Sequence, residues 1–332
     1  MGARPPALRS GRRRHGHARR LRAGRERHRP QRPLAPGGAA DLAPSTRTLL
    51  SVDGAGDLEA DAPGGRDLHF GIREHAMAAI TNGLSLSGLR PFMATFLVFS
   101  DYLRPALRLS ALMDLPIVAV FTHDSIGLGE DGPTHQPVGQ LTSLRAIPGL
   151  VTLRPADAGE VVEAWRVAMD RRRGPVALVL TRQRLPVLDR ERLAPPSGLA
   201  RGAYVLADAP GGNPDLLLLA TGSEVHLVLA AREALAAQGV RARVVSMPSW
   251  ELFEEQPPAY RESVLPRAVK ARVGVEAASP LGWDRYVGPD GCVIGMHGFG
   301  ASGPGPAVER RFGFTPEAIV AAATALLHGK GG

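Results

Sequence analysis

Residues 115–121, LPIVAVF, are a short apolar run that feeds directly into fifteen residues no regular element can occupy, HDSIGLGEDGPTHQP, from His123 to Pro137. The run reads as a buried strand. Gly127, Gly129 and Gly132 then break any helix or strand, and Pro133 and Pro137 stiffen what remains. Within the loop lie His123, His135, Asp124, Glu130 and Asp131. A buried strand followed by such a loop fits an open α/β sheet, whose ligands bind beyond the carboxyl ends of the strands. A polar surface loop is the plain reading. The density of histidines and carboxylates held by glycine and proline points instead to proton transfer near a substrate.

The flanking pattern agrees with an α/β chain. Strands are expected at 67–72, 91–96, 150–153 and 175–180, with helices at 74–87, from about 96 to 113, up to 147 and at 157–172. Alternation at these lengths predicts a mostly parallel sheet. Glu74 opens its helix, where the helix dipole favours an acid. Phe96, Phe99 and Tyr102 are spaced to share one helical face, ordinarily core, with Leu103, Leu107 and Leu109 pointing inward. Residues 36–66 read as loop, in which Ser45 has the look of a turn or cap residue.

Residues 190–214, rich in proline and glycine, read as an interdomain linker. A second α/β unit follows, with strands expected at 215–220, 243–247, 272–276 and 292–296. Its T-G-S turn would place Ser223 as the cap of a helix ending at Gly239. The expected organisation is a basic head (1–35), a first domain (36–189), the linker (190–214) and a second domain (215–332).

Charge misleads at the level of the whole chain. Formal net charge is +8, but residues 1–33 hold twelve arginines and one acid, Glu26; the remainder has 28 basic against 31 acidic residues. The head, without apolar periodicity, is expected to be disordered. A nucleic-acid tail and a transit peptide are two readings of it. Its Arg, Pro, Gly, Ala and His also suit GC-rich coding sequence read in the wrong frame, as in a truncated or mis-started product. A single cysteine, Cys292, excludes an internal disulfide and fits a reducing, cytoplasmic setting. No apolar run is long enough to span a bilayer.

Four stretches in order, GGAADLAPS (37–45), HFGIREHAM (69–77), GEDGPTHQP (129–137) and TRQRLP (181–186), resemble the transketolases. The similarity runs from about Pro36 to the C-terminus and covers the family's pyrimidine-binding and C-terminal domains. The synthase that makes deoxyxylulose phosphate shares only the D-G-P-T-H core and is a lesser match. The resemblance implies thiamine diphosphate as cofactor and transfer of a two-carbon ketol unit between sugar phosphates. It implies that Glu74 hydrogen-bonds the pyrimidine ring and drives its tautomer shift. Phe99 would stack on that ring between Phe96 and Tyr102, and Asp41 would lie near the thiazolium. His123 and His135 would handle substrate protons. Asp131 would bind a hydroxyl, and Ser45, His123 and Arg182 would grip the phosphate. Arg184 stands where the family usually has Asn, and is expected to be solvated. The family's C-terminal domain lies away from the chemistry, so the same is expected here.

The family binds the diphosphate through Mg²⁺ on a further domain whose signature is G-D-G followed by Asn. No G-D-G occurs in this sequence, and no His/Cys/Asp/Glu cluster offers a metal site. The metal ligands are therefore expected on a missing domain or partner chain, with the protein working as a homo- or hetero-oligomer without nucleic acid or membrane. A non-catalytic remnant or regulatory subunit is the alternative.

Overall fold

A computed structural model of the protein describes residues 36–51 and 54–329, together with the backbone of His15–Gly16. Two sheets organise it. The first contains β1 (Gly37–Ala39), β2 (Asp67–His69), β3 (Phe92–Phe96), β4 (Val118–Thr122), β5 (Val151–Leu153) and β6 (Val176–Leu180). Their spatial order is β2-β1-β3-β4-β6-β5, and every pairing is parallel. β4 (VAVFT) and β6 (VALVL) are buried along their whole length, as strands covered on both faces must be.

Helices cover both faces. α1 is Ala43–Thr46, α2 Glu74–Leu86, α3 Ser100–Leu112, α4 Gln140–Arg145 and α5 Ala158–Asp170. Met77, Leu103, Leu107 and Leu144 pack on one face of the sheet. Val161, Ala164, Trp165 and Ala168 of α5 pack on the other. α5 starts at Asp157, whose carboxylate accepts the Glu160 N–H at 2.9 Å.

The second sheet contains β7 (Tyr204–Ala207), β8 (Leu216–Ala220), β9 (Ala242–Ser246), β10 (Arg272–Val275) and β11 (Cys292–Ile294). Its order is β11-β10-β8-β9-β7, parallel except for β7, which runs antiparallel to β9. Six helices flank it: α6 Glu224–Ala236, α7 Trp250–Glu254, α8 Pro258–Val264, α9 Asp284–Val287, α10 Gly305–Arg311 and α11 Pro316–His328. None of the helices in the described residues is long and apolar enough to cross a membrane.

Several sequence expectations need correction. Residues 36–66 are not all loop, because β1 sits between β2 and β3. A Cβ on Gly38 would lie 1.7 Å from the Leu68 carbonyl oxygen, and one on Gly37 would lie 2.1 Å from that of Phe92. The strand thus exists by virtue of having almost no side chains, so it shows no pattern to read. The expected linker contains β7 and a 3₁₀ turn over Pro196–Arg201; the surrounding prolines hide the short apolar YVLA strand. Leu109 is partly exposed, since two residues along a helix from buried Leu107 is the opposite face. Phe96, Phe99 and Tyr102 do not share one helix: they fall at the end of β3, in a 3₁₀ turn and in α3. Ser223 makes no cap hydrogen bond. Its backbone is already helical (φ −60°, ψ −27°), and its hydroxyl donates to Glu224 Oε1 at 2.6 Å. The expectation of a disordered head falls largely outside the described residues; within it, His15–Gly16 pairs antiparallel with Arg184–Leu185.

The two units interlock through charge. Arg154, 1% exposed, follows β5. Its Nε donates to Asp124 Oδ2 at 2.9 Å, and its Nη1 donates to Thr221 Oγ1 at 2.7 Å and to Glu224. Alongside, Arg145 makes a two-pronged pair with Glu276 at 2.7 and 2.8 Å. Thr221 Oγ1 and Trp283 Nε1 also donate to Glu276, at 2.6 and 2.9 Å. Burial opposes the charge on Glu276, but Arg145, Arg154 and the Thr221 hydroxyl together outweigh it and hold this carboxyl down at about 2. Removing one partner of such a network strands the others without counter-charge. Arg154→Leu is therefore expected to lower stability by about 3–5 kcal/mol, read from the urea unfolding midpoint. Arg173→Leu, which breaks an exposed pair with Asp114, should leave that midpoint in place.

Candidate active site

All strands of the first sheet point the same way, so their carboxyl ends form one edge. The predicted site residues follow from that edge. Asp41 comes just after β1, Glu74 after β2 at the start of α2, Phe96 at the end of β3, His123 after β4 and Arg182 after β6. The chain leaves β1 for β2 on one side while β3 lies on the other, and such a reversal of strand order is where open α/β sheets place their ligand crevice.

The loop 123–137 begins under constraint. His123 has φ 58°, a left-handed backbone uncommon in a residue with a side chain. Asp41 is likewise left-handed, at φ 59°. The His123 ring stacks on Phe96 with 3.6 Å between centroids, and Thr122 Oγ1 lies 2.9 Å from its Nδ1. His135 stands edge-on to Phe99 at 5.5 Å and to Phe96 at 6.3 Å, and Phe99 contacts Tyr102 at 6.3 Å. Two histidines and three aromatic rings therefore form one group.

Burial pushes His123 down, and Arg182 and His135 add to the effect against Asp131 and Asp124; its pKa falls to about 4. At neutral pH the ring is an uncharged donor and acceptor among charged neighbours, suited to exchanging a proton with a hydroxyl or carbonyl. Glu74 is buried. No hydrogen bond or ion pair engages its carboxylate among the described residues. Asp41, Ser45, Asp131 and Arg182 are exposed and His135 is half-buried. Nothing bonds Asp41 or Ser45 to the ring cluster in the described residues; they share its sheet edge. Arg184 is exposed, as expected. Among the described residues no group of three or more His, Cys, Asp or Glu side chains is arranged to hold a metal ion.

With this geometry in view, two family models match the chain. The transketolase pyrimidine-binding domain matches residues 30–187, and the transketolase-like C-terminal domain matches residues 202–315. It carries these two domains of the transketolase family.

The transketolase of Aquifex aeolicus is 52% identical over 284 residues, 85% of this chain and 41% of that protein. A transketolase structure from Leishmania mexicana superimposes with a TM-score of 0.84 at 42% identity, over 89% of this chain and 43% of the other. The chain thus spans under half the length of these transketolases. A chain described as a split-gene transketolase, inactive β4 tetramer, shares the fold over 94% of this chain and 97% of its own, with a TM-score of 0.70 and 24% identity.

Transketolase motifs led to the residues at the sheet edge but not to those that hold the loop. Asp124, Arg154, Gln136 and Glu224 come from both units, and the bonds Arg154–Asp124, Arg154–Glu224 and Gln136–Ala301 join residues distant in sequence. The one available signal was Arg154 itself, an arginine directly after the apolar stretch Leu-Val-Thr-Leu. The second unit, expected to lie away from the chemistry, packs on the buried side of the loop. Ile126 of the loop is fully buried in the same apolar cluster as Val308 and Phe314, and α10 packs on the loop.

Glu309 of α10 is pushed up to about 7, first by burial and then by Glu224 and Asp124. Its proton is held more tightly in the folded state, so that contribution is complete below the ordinary value of 4.5 and is lost as pH rises through 7. His123 has the opposite sign. Its folded value lies below 6.5, so stability is lost as pH falls from 6.5 towards 4. Relative to the parent, Glu309→Gln is expected to gain stability by on the order of 2 kcal/mol between mildly acidic and mildly alkaline pH. His123→Gln should instead gain towards acid. Urea unfolding across a pH series measures both slopes.

Proposed function

We propose that the chain forms the pyrimidine and sugar-phosphate side of a thiamine diphosphate-dependent ketol transferase of the cytoplasm, with Mg²⁺ and the diphosphate held by another polypeptide segment. One observation carries this reading. Glu74 is a buried residue whose carboxylate takes no protein partner among the described residues, on the same sheet edge as the Phe96–Phe99–Tyr102 rings. A ring nitrogen of an aminopyrimidine stacked on those aromatics supplies the partner that the protein does not. The residues fit the pyrimidine end of the cofactor and leave its charged end unprovided for.

Bound there, thiamine diphosphate supplies the carbon nucleophile for ketol transfer. The chain's own residues do the rest. Glu74 holds the proton shared with the pyrimidine. His123, uncharged at neutral pH, and His135 beside it exchange protons with the sugar hydroxyls and polarise the carbonyl. Asp131 accepts from the hydroxyl beside the reacting carbon. Arg182, Ser45 and His123 bind the phosphate, with the guanidinium fork matched to its oxygens. Asp41 stands on the thiazolium side.

The partner is proposed to be a transketolase diphosphate-binding half, in a homo- or hetero-oligomer. α2 and α3 pack on each other yet leave Ile80, Leu86, Tyr102 and Leu112 exposed, the last at 72%. Exposed apolar faces of this kind mark association surfaces. The split-gene neighbour of matching extent, named as an inactive tetramer, agrees with a chain that needs a second half.

Two outcomes test the reading. With a complementing diphosphate-binding half, Glu74→Ala is expected to abolish ketol transfer between sugar phosphates; retention of parental activity would overturn the assignment. Alone, the chain is expected to show no transfer, to self-associate, and to bind thiamine diphosphate with Mg²⁺ only at about millimolar strength, about 4 kcal/mol. Calorimetry and sedimentation read this directly. Micromolar, Mg²⁺-dependent binding by the chain alone contradicts it.

A further inference from the structure

The loop 123–137 meets a second glycine-rich segment, residues 298–305 (GFGASGPG), which arrives from the far end of the other unit. The two backbones interleave. A Cβ on Gly305 would lie 2.8 Å from the Gly127 carbonyl oxygen, and one on Gly129 would lie 2.9 Å from the Gly305 nitrogen and 3.0 Å from the Gly303 oxygen. Neither segment can carry a side chain at these points without moving the other.

Three hydrogen bonds then pin the loop, two of them to the other unit. Ser302 Oγ donates to the Glu130 carbonyl at 2.7 Å. Gln136, 2% exposed, uses its Nε2 to donate to the carbonyls of Gly129 at 3.0 Å and Ala301 at 2.9 Å. A Cβ on Gly300 would fall 1.8 Å from Gln136 Oε1, so the Gln136 amide fills the space that this glycine leaves. Asp131 and His135 lie between the two pinned points, Glu130 and Gln136. Their separation and direction are therefore set by contacts to the other unit.

We propose that residues 300–305 are a positioning element for the substrate loop, and that Gln136 is the positioning residue through which they fix Asp131 and His135. The inference rests on reading 123–137 as a substrate loop. Its test reads loop shape rather than catalysis, so it fails or stands apart from the Glu74 experiment.

The experiment uses the full 332-residue chain. Gln136→Glu keeps the side-chain shape but replaces the donating amide by an oxygen facing two carbonyl oxygens. Hydrogen exchange is followed at the amides of Gly132 and His135, which donate to Gly129 and Gly132 at 3.1 and 3.0 Å. Exchange at both is expected to quicken by about tenfold or more, with β8 and β9 unchanged. The His123 imidazole titration should rise from about 4 towards 6.5 as the loop ceases to bury it. Gly305→Ala is the second variant and should act in the same direction. Gly298→Ala, whose added methyl meets open space, should do nothing. Exchange within about twofold of the parent in both Gln136→Glu and Gly305→Ala overturns the proposal. Equal quickening in β8 and β9 also overturns it, because the effect would then be loss of the fold as a whole.

Discussion

Arg154 cannot reach water, and much of the molecule is arranged around that fact. A guanidinium with 1% exposure must meet its donors' needs inside the protein. It finds Asp124 at the root of the loop 123–137 and Thr221 and Glu224 at the start of α6. One side chain thereby ties the carboxyl end of the first sheet to the equivalent end of the second. Burial disfavours its charge, yet Glu224, Asp124 and Glu276 together outweigh this and raise its pKa, so the guanidinium keeps its charge as pH rises.

The cluster is short of positive charge. Arg145 and Arg154 face Asp124, Glu224 and Glu276, with Glu309 alongside. The surplus negative charge does not spread evenly. Glu276 has two arginines near it and is held down. Burial pushes Glu224 up against the pull of Arg154, and burial with Glu224 and Asp124 nearby pushes Glu309, which has no arginine bond, up to about 7. A like-charged pair in low dielectric resolves itself by keeping a proton. The packing of α10 on the loop thus carries a proton that an exposed glutamate would not.

How much of this was legible depended on whether position was encoded locally. Buried parallel strands such as VAVFT and VALVL announce themselves by composition, and the alternation of strand and helix gives the first sheet its class. Glu74, His123, His135 and Arg182 stand in short motifs, so the sheet edge could be assembled from sequence alone. The elements that escaped are those whose identity is set by a neighbour. β1 is a strand only because the Leu68 and Phe92 backbones press on its glycines. Gln136 reads as a polar loop residue until Ala301 is placed beside it, a bond across 165 positions. No window of sequence contains both.

The glycines of β1 also bear on how the chain is made. Gly37–Ala39 offers few side-chain contacts of its own, and its backbone partners are Asp67–His69 on one side and Phe92–Ala94 on the other. It leaves the ribosome before either. During synthesis, which runs from the N-terminus, the strand that ends up inside the sheet must wait for two later segments to define its slot, and non-local pairing of this kind is slow. Asp41 follows β1 directly, so that flank of the crevice takes shape only once the polypeptide has emerged past residue 94. Order of manufacture and order of placement thus differ at this edge: Asp41 is made before the strands that give it a location.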